Sequence, residues 1–295
     1  MTVAIKVHNA IERSSWIRRM FEEGAALTAE FGAENVYDFT LGNPSVEPPE
    51  AFHRELRRIV NQPDLGTHRY MNNAGYEETR AAVAKNIAQY SGVPINASHI
   101  IMTCGAGGAL NVTLKTILNP GEEVIILTPF FVEYKFYVDN HGGTTTEVWT
   151  DPETFQPDIP AIESAITENT RAIIINSPNN PTGGTDAPAD ILALAASLPE
   201  DVIFCLDEAY AEFARPGSAS ALTLLEGRPR LVVTRTMSKA FALAGARLGY
   251  LAASPAVVQA VQLVRLPYHL SAVTQAVART ALAHTDELQS QVALL

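Results

Sequence analysis

Lysine is scarce in this chain of 295 residues, which holds only Lys6, Lys85, Lys115, Lys135 and Lys239. Beyond residue 135 the remaining Lys and Arg positions are all arginine, so Lys239, in "RTMSKAFALAGARLGY" (235–250), stands alone. Charge alone is served there by arginine; a single retained lysine points to amine chemistry. Cysteine is rarer still. Cys104 and Cys205 lie far apart with no CxxC or histidine spacing, which excludes a zinc site and a disulfide framework. Both read as buried thiols near strand ends. A net charge of −11 excludes a nucleic-acid or anionic-membrane surface as the main business, leaving room for a local basic pocket. No apolar run approaches the ~20 residues of a membrane span. The opening "MTVAIKVHNAIERSSW" carries charges where a signal peptide needs its apolar run, so a cytoplasmic protein is expected.

Short β-branched apolar runs fill much of the rest. Strands are predicted over 99–104, 123–129, 144–150, 171–177, 201–207, 230–236 and 247–254. Between them lie segments of helical spacing such as 107–118 and 187–198, with an amphipathic helix over 77–92 upstream. Near-continuous apolar strands alternating with helices imply an α/β fold with a mostly parallel, doubly wound, seven-stranded sheet. The first ~40 residues read as a helical arm running into an extended stretch.

In such a sheet ligands bind beyond the carboxyl ends of the strands, and four polar clusters fall there. "TCGAGG" (103–108) sets Gly105, Ala106 and Gly107 at a helix start, where free N–H groups attract an anion. A dinucleotide fingerprint fails, because it needs glycine at position 110, which is Leu110, and an acid after the next strand, which ends in Thr128 and Pro129. "NSPNNPTGG" (176–184) makes a rigid turn presenting the Asn180 amide. In "CLDEAYAEF" (205–213), Asp207 follows four apolar residues; a carboxylate so desolvated needs a cation or strong donors, and a plain salt bridge is the alternative. In the fourth cluster Thr236 and Ser238 share one face, Lys239 opens the following helix, and Arg247 lies eight residues on.

Taken together, a glycine turn, two hydroxyls and an arginine make a phosphate site. An acid that wants a cation suits a pyridinium nitrogen, and a desolvated lysine suits Schiff-base chemistry. Those three requirements describe pyridoxal 5′-phosphate (PLP).

With these motifs in place, the chain resembles the class I/II aminotransferases of PLP-dependent fold type I. "SKAFALAGARLGY" is similar to the family's lysine signature, "NNPTGG" to its asparagine turn and "DEAYAEF" to its Asp-x-x-Tyr element. The resemblance implies that Lys239 carries the cofactor as an internal aldimine and shuttles a proton during transfer. It implies that Asp207 pairs with the pyridinium nitrogen, and that Tyr210 and Asn180 bond the ring's phenolic oxygen. Thr236, Ser238, Arg247 and the backbone of Gly105, Ala106 and Gly107 then hold the phosphate. Phe131 matches the stacking aromatic, Gly42 the turn near the substrate carboxylate, and Tyr70 a tyrosine lent to a neighbouring subunit. A homodimer follows from that last match. The expected reaction is a ping-pong amino transfer between an amino acid, or histidinol phosphate, and a 2-oxo acid. The open alternatives are a cofactor-binding core without turnover and another PLP reaction such as β-elimination or decarboxylation.

The implied organisation is an N-terminal arm over 1–45, a PLP-binding large domain over 46–265, and the start of a linker helix over 266–295. Family members continue for of order 100 residues more, the size of a small domain that supplies a carboxylate-clamping arginine. Neither Arg265 nor Arg279 matches that arginine's context. Composition also changes midway: residues 1–183 hold 17 isoleucines and 15 asparagines, residues 184–295 only 2 isoleucines and no asparagine. The upstream part resembles general aspartate-type enzymes and the downstream part actinobacterial histidinol-phosphate aminotransferases, as a chimera joined near the NPTG turn would.

Overall fold

The computed structural model describes residues 20, 22–37, 39, 42–64, 66–214 and 218–293. It divides into two units, Met1–Asn43 and Pro44–Leu295. The first contains a helix over 22–31 (α1) and a 3-10 turn, Ala33–Asn35.

The second unit is built on seven strands. They are β1 Ile100–Thr103, β2 Glu123–Thr128, β3 Thr144–Trp149, β4 Thr170–Asn176, β5 Ile203–Asp207, β6 Leu231–Thr236 and β7 Gly249–Ala253. Their order is β1-β7-β6-β5-β4-β2-β3. β7 runs antiparallel to both its neighbours and the remaining pairs are parallel, giving the mostly parallel α/β sheet that the apolar strand runs demand. The helices are α2 Glu50–Asn61, α3 Glu77–Ser91, α4 Gly105–Ile117, α5 Glu133–Asn140, α6 Ile159–Ala165, α7 Pro188–Ser197, α8 Pro255–Val264, α9 Ala272–Leu282 and α10 Thr285–Val292.

Successive strand residues point to opposite faces, so the inner strands feed two cores, while the edge strand β3 buries only Val148. On one face Ile126, Ile174, Cys205 and Val232 pack under α4, α5 and α8. On the other, Ile125, Ile173, Leu206 and Val233 pack with Ile87 of α3, Ile162 of α6, Leu194 of α7 and Ala278 of α9. The same alternation decides which side each polar residue at the strand ends takes. Asp207 continues the face of Cys205, and Thr234 and Thr236 continue that of Val232. Glu208 and Arg235 fall on the other.

Two local expectations are corrected. Lys239 does not open a helix: β6 leads into a turn in which Ala242 donates to the Lys239 carbonyl and Leu243 to that of Met237, and Ala242 takes φ 52°. The reason is topological, because β6 and β7 are antiparallel neighbours and their link, residues 237–248, must turn the chain back on itself. Cys104 is exposed rather than buried, since β1 ends one residue earlier and Cys104 caps the turn into α4. Cys205 is buried as expected, and desolvation pushes its thiol up to about 12. Among the described residues no helix is long and apolar enough to cross a membrane.

Candidate active site

Asp207 ends β5 with 5% of its surface exposed. Its carboxylate accepts from the Tyr134 hydroxyl (2.8 Å) and the Thr234 hydroxyl (3.1 Å). Burial raises its pKa; these two hydroxyls and the Ala209 N–H lower it, and Glu208 next door raises it again. The net shift is upward because its described donors are neutral, and none supplies the full charge that would offset desolvation.

Asn180 and Tyr210 converge as expected: the asparagine Nδ2 lies 3.3 Å from the tyrosine hydroxyl. The asparagine turn is anchored on β4, where Asn176 Oδ1 accepts from the Asn180 N–H (2.6 Å) while its Nδ2 donates to the Asp207 carbonyl (2.8 Å). One strand end therefore positions both the buried Asp207 and the amide beside it. Lys239 Nζ stands 5.3 Å from the centre of the Tyr210 ring. Phe131 packs edge-on against Tyr134 at 5.6 Å, which places it beside the partner of Asp207.

The anion cradle forms where β6, β7 and the start of α4 meet. Ser238 N–H donates to Thr236 Oγ1 (3.1 Å), whose hydroxyl donates to Ser238 Oγ (2.9 Å), with Arg247 Nη1 3.5 Å from that oxygen. A Cβ added to Gly105 would sit 3.3 Å from Arg247 Nη2 and 3.8 Å from Thr236 Oγ1, so all three face one small volume. Gly105 takes φ 71°, which glycine adopts without penalty, and aims the first amides of α4 into that volume. Gly249 makes this approach possible. A side chain there would stand 2.7 Å from the Gly105 carbonyl carbon and 2.4 Å from the Arg235 carbonyl oxygen.

Tyr70, expected to serve a neighbouring subunit, is 83% exposed, with its ring against Tyr268 at 4.5 Å. Gly42 belongs to the N-terminal unit, just before its end at Asn43. Arg279 is engaged with Thr79 (3.0 Å) and Arg265 with His269 (3.2 Å).

Sequence reasoning missed Tyr134, Thr234, Asn176, Tyr137 and Gly249. Thr234 carried a usable signal, being two residues before Thr236 on the same strand face. Tyr134 and Tyr137 did not, since a tyrosine early in a helix looks like any core aromatic. Tyr137 lines the cradle: its hydroxyl lies 2.7 Å from where a Gly107 Cβ would be, and burial raises its pKa to about 12.

The chain matches the family Aminotransferase class I and II over residues 33–294. It is 42% identical to a histidinol-phosphate aminotransferase of Thermobifida fusca over 259 residues, 87% of this chain and 68% of that one. Histidinol-phosphate aminotransferase 3 of Burkholderia lata is 42% identical over 83% of this chain and 65% of its own length. The chain thus spans about two thirds of these relatives (68% and 65%). Among solved structures, Thermus thermophilus aspartate aminotransferase with maleate superimposes with a TM-score of 0.78 at 31% identity, covering 86% of this chain and 67% of that one. An aminotransferase from Eubacterium rectale reaches 0.85 at 30% identity, covering 95% and 75%. The fold, the order of the motifs and these likenesses agree, and the chain belongs to the class I and II aminotransferase family.

Proposed function

We propose that this chain binds PLP, the cofactor used by aminotransferases of this fold, and moves an amino group between an amino acid or histidinol phosphate and a 2-oxo acid. The observation that carries the reading is Asp207, a buried carboxylate whose described donors are neutral, at the same sheet edge as an arginine- and hydroxyl-lined cradle. The residues fit the cofactor at both ends. A cationic ring nitrogen supplies the charge that Asp207 lacks, and a phosphate satisfies Arg247, Thr236, Ser238 and the N–H groups of Gly105, Ala106 and Gly107.

PLP, when bound, supplies an aldehyde that exchanges amino groups and a ring that takes up the electrons released at the substrate Cα. The chain's own groups do the rest. Asp207 holds a proton on the ring nitrogen, and Tyr134 and Thr234 hold Asp207. Tyr210 and Asn180 would donate to the phenolic oxygen, and Phe131 would lie against the ring. Lys239 Nζ would be the attachment point and the base that takes a proton from the substrate Cα. Ping-pong order follows from one site serving both half-reactions: the first oxo product leaves before the accepting 2-oxo acid enters. Gly42 is assigned to the substrate carboxylate. Tyr70, exposed within one chain, is assigned to the phosphate site of a second copy in a homodimer. The organisation read from the sequence, with a large domain over 46–265 and a linker helix from 266, belongs to this proposal, as does a cytoplasmic setting. So does a junction near residue 184, which the loss of asparagine and isoleucine supports; the Thermobifida fusca relative, aligned over 259 residues, crosses that point.

An absorbance titration with PLP, followed by glutamate, aspartate and histidinol phosphate in turn, tests the reading with Lys239→Ala alongside. A cofactor band in the parent alone, discharged by one donor with release of its 2-oxo acid, or of the ketone phosphate in the case of histidinol phosphate, upholds it and names the donor. A band that no donor discharges reduces the chain to a cofactor-binding core. Elimination or decarboxylation products redirect the chemistry, and no Lys239-dependent band overturns the reading.

A further inference from the structure

Behind the sheet, on the face opposite Asp207, lies a second charged cluster that the amino-transfer reading does not use. Arg235, with a side chain only 6% exposed, donates from Nε to Glu208 Oε2 (2.8 Å), from Nη1 to Glu212 Oε1 (2.8 Å) and from Nη2 to Ser220 Oγ (2.9 Å). Glu208 also accepts from the Ser220 hydroxyl (2.7 Å) and the Ala221 N–H (2.5 Å). The cluster walls a cavity of about 470 Å³ that Tyr90 and Phe241 also line.

The partners of Arg235 bracket Tyr210 in the chain. Glu208 lies two residues before it and Glu212 two after, in the 3-10 turn Ala211–Phe213. That turn's own hydrogen bonds are local: Ala211 N–H to the Glu208 carbonyl (3.2 Å), Phe213 N–H to that of Tyr210 (2.9 Å), and Ala214 N–H to that of Ala211 (3.2 Å). They shape the turn without fixing it to β6. Glu208 N–H ties its start to the Thr234 carbonyl (2.9 Å), and the Glu212–Arg235 pair ties its far side. Arg235 itself sits between Thr234 and Thr236, whose side chains face Asp207 and the cradle. Its planar fork can hold both glutamates at once, which a lysine's single ammonium cannot do in the same geometry.

We propose that Arg235, through Glu208 and Glu212, is a positioning residue that sets the Tyr210 hydroxyl against Asn180 and Lys239. The proposal rests on the assignment of Tyr210 to the cofactor's phenolic oxygen for its functional consequence, but its geometry stands apart from that assignment. Any slip of the 208–213 turn along β6 moves the Tyr210 ring relative to Lys239, because both are carried by the strand ends that Arg235 clasps.

The test is fluorine NMR of the whole chain labelled with fluorotyrosine, the Tyr210 signal being identified by its loss in Tyr210→Phe. Glu212→Ala should move or split the Tyr210 resonance while leaving that of Tyr134 in place, and Glu212→Gln, which can still accept from Arg235, should restore it. With PLP bound, Glu212→Ala should shift the pH midpoint of the Lys239-dependent band by about half a unit, roughly threefold in proton affinity. The shift should vanish when Tyr210→Phe is already present. A melting temperature that falls in Glu212→Ala with the Tyr210 resonance unmoved overturns the proposal, as does a midpoint shift that persists in the Tyr210→Phe background. Absence of any Lys239-dependent band sinks the cofactor reading instead, and the fluorine result still decides the positioning.

Discussion

Asp207 and Glu208 are neighbours in sequence, both almost fully buried, and they meet opposite fates. Glu208, 3% exposed on the rear face, shares Arg235 with Glu212 and accepts from Ser220 and the Ala221 N–H. Asp207, 5% exposed on the front face, has two hydroxyls and a backbone amide. A buried acid with its own cation is a finished structural element, while one held by neutral donors is an element still able to receive a cation. The contrast separates the part of the sheet edge that holds the fold from the part proposed to hold the cofactor. It also explains why the two acids raise different expectations on substitution.

The largest effect is expected behind the sheet. Arg235→Met leaves the buried Glu208 and the partly buried Glu212 side by side with no cation, and breaking such a cluster costs about 3–5 kcal/mol. Urea denaturation should show that loss near neutral pH. It should shrink as the pH falls, because burial raises the Glu212 carboxyl above its ordinary value and, without Arg235, its protonation relieves part of the loss. A smaller effect is expected in front. Tyr134→Phe removes one donor to Asp207 (2.8 Å), a charge-assisted bond worth about 1.5–3 kcal/mol once the cofactor keeps the acid ionised. PLP affinity should fall by about tenfold or more, with little change in the denaturation of the cofactor-free protein, where the same acid is pushed towards its neutral form. If Arg235→Met instead weakens PLP binding and spares stability, the two faces have been given the wrong roles.

Much of this was legible in the sequence. Seven runs became seven strands, the inner ones because burial on both faces selects apolar residues and the edge strand β3 through its β-branched threonines, and the four polar clusters followed from where those strands end. Lys239, Asp207, Asn180, Tyr210, Thr236, Ser238 and Arg247 lie in motifs whose spacing survives folding. The misses share a cause. Tyr134 reaches Asp207 across 73 positions, and Arg235 reaches Glu212 across 23, so neither contact leaves a local pattern. The helix expected at Lys239 failed because the antiparallel pairing of β6 with β7, which no local propensity announces, turns residues 237–248 back along the sheet. Gly249 gave no signal either. Its need for glycine comes from the backbone of Gly105, 144 positions earlier in the sequence and in van der Waals contact in space.

The measurement that bears most directly on the whole account is the melting temperature of Asp207→Asn with and without saturating PLP, beside the parent. Burial raises the Asp207 pKa, so as the pH rises past the unfolded value the ionised acid draws stability from the cofactor-free fold. An amide of the same shape avoids that loss, since the Tyr134 and Thr234 hydroxyls can turn to accept as well as donate. Without PLP the variant should therefore melt above the parent at neutral pH, by a margin that closes as the pH is lowered. With PLP it should melt below the parent, because the ring nitrogen has lost its counter-charge. A variant that melts lower in both conditions, or gains as much from PLP as the parent does, would show that Asp207 is a structural acid like its neighbour.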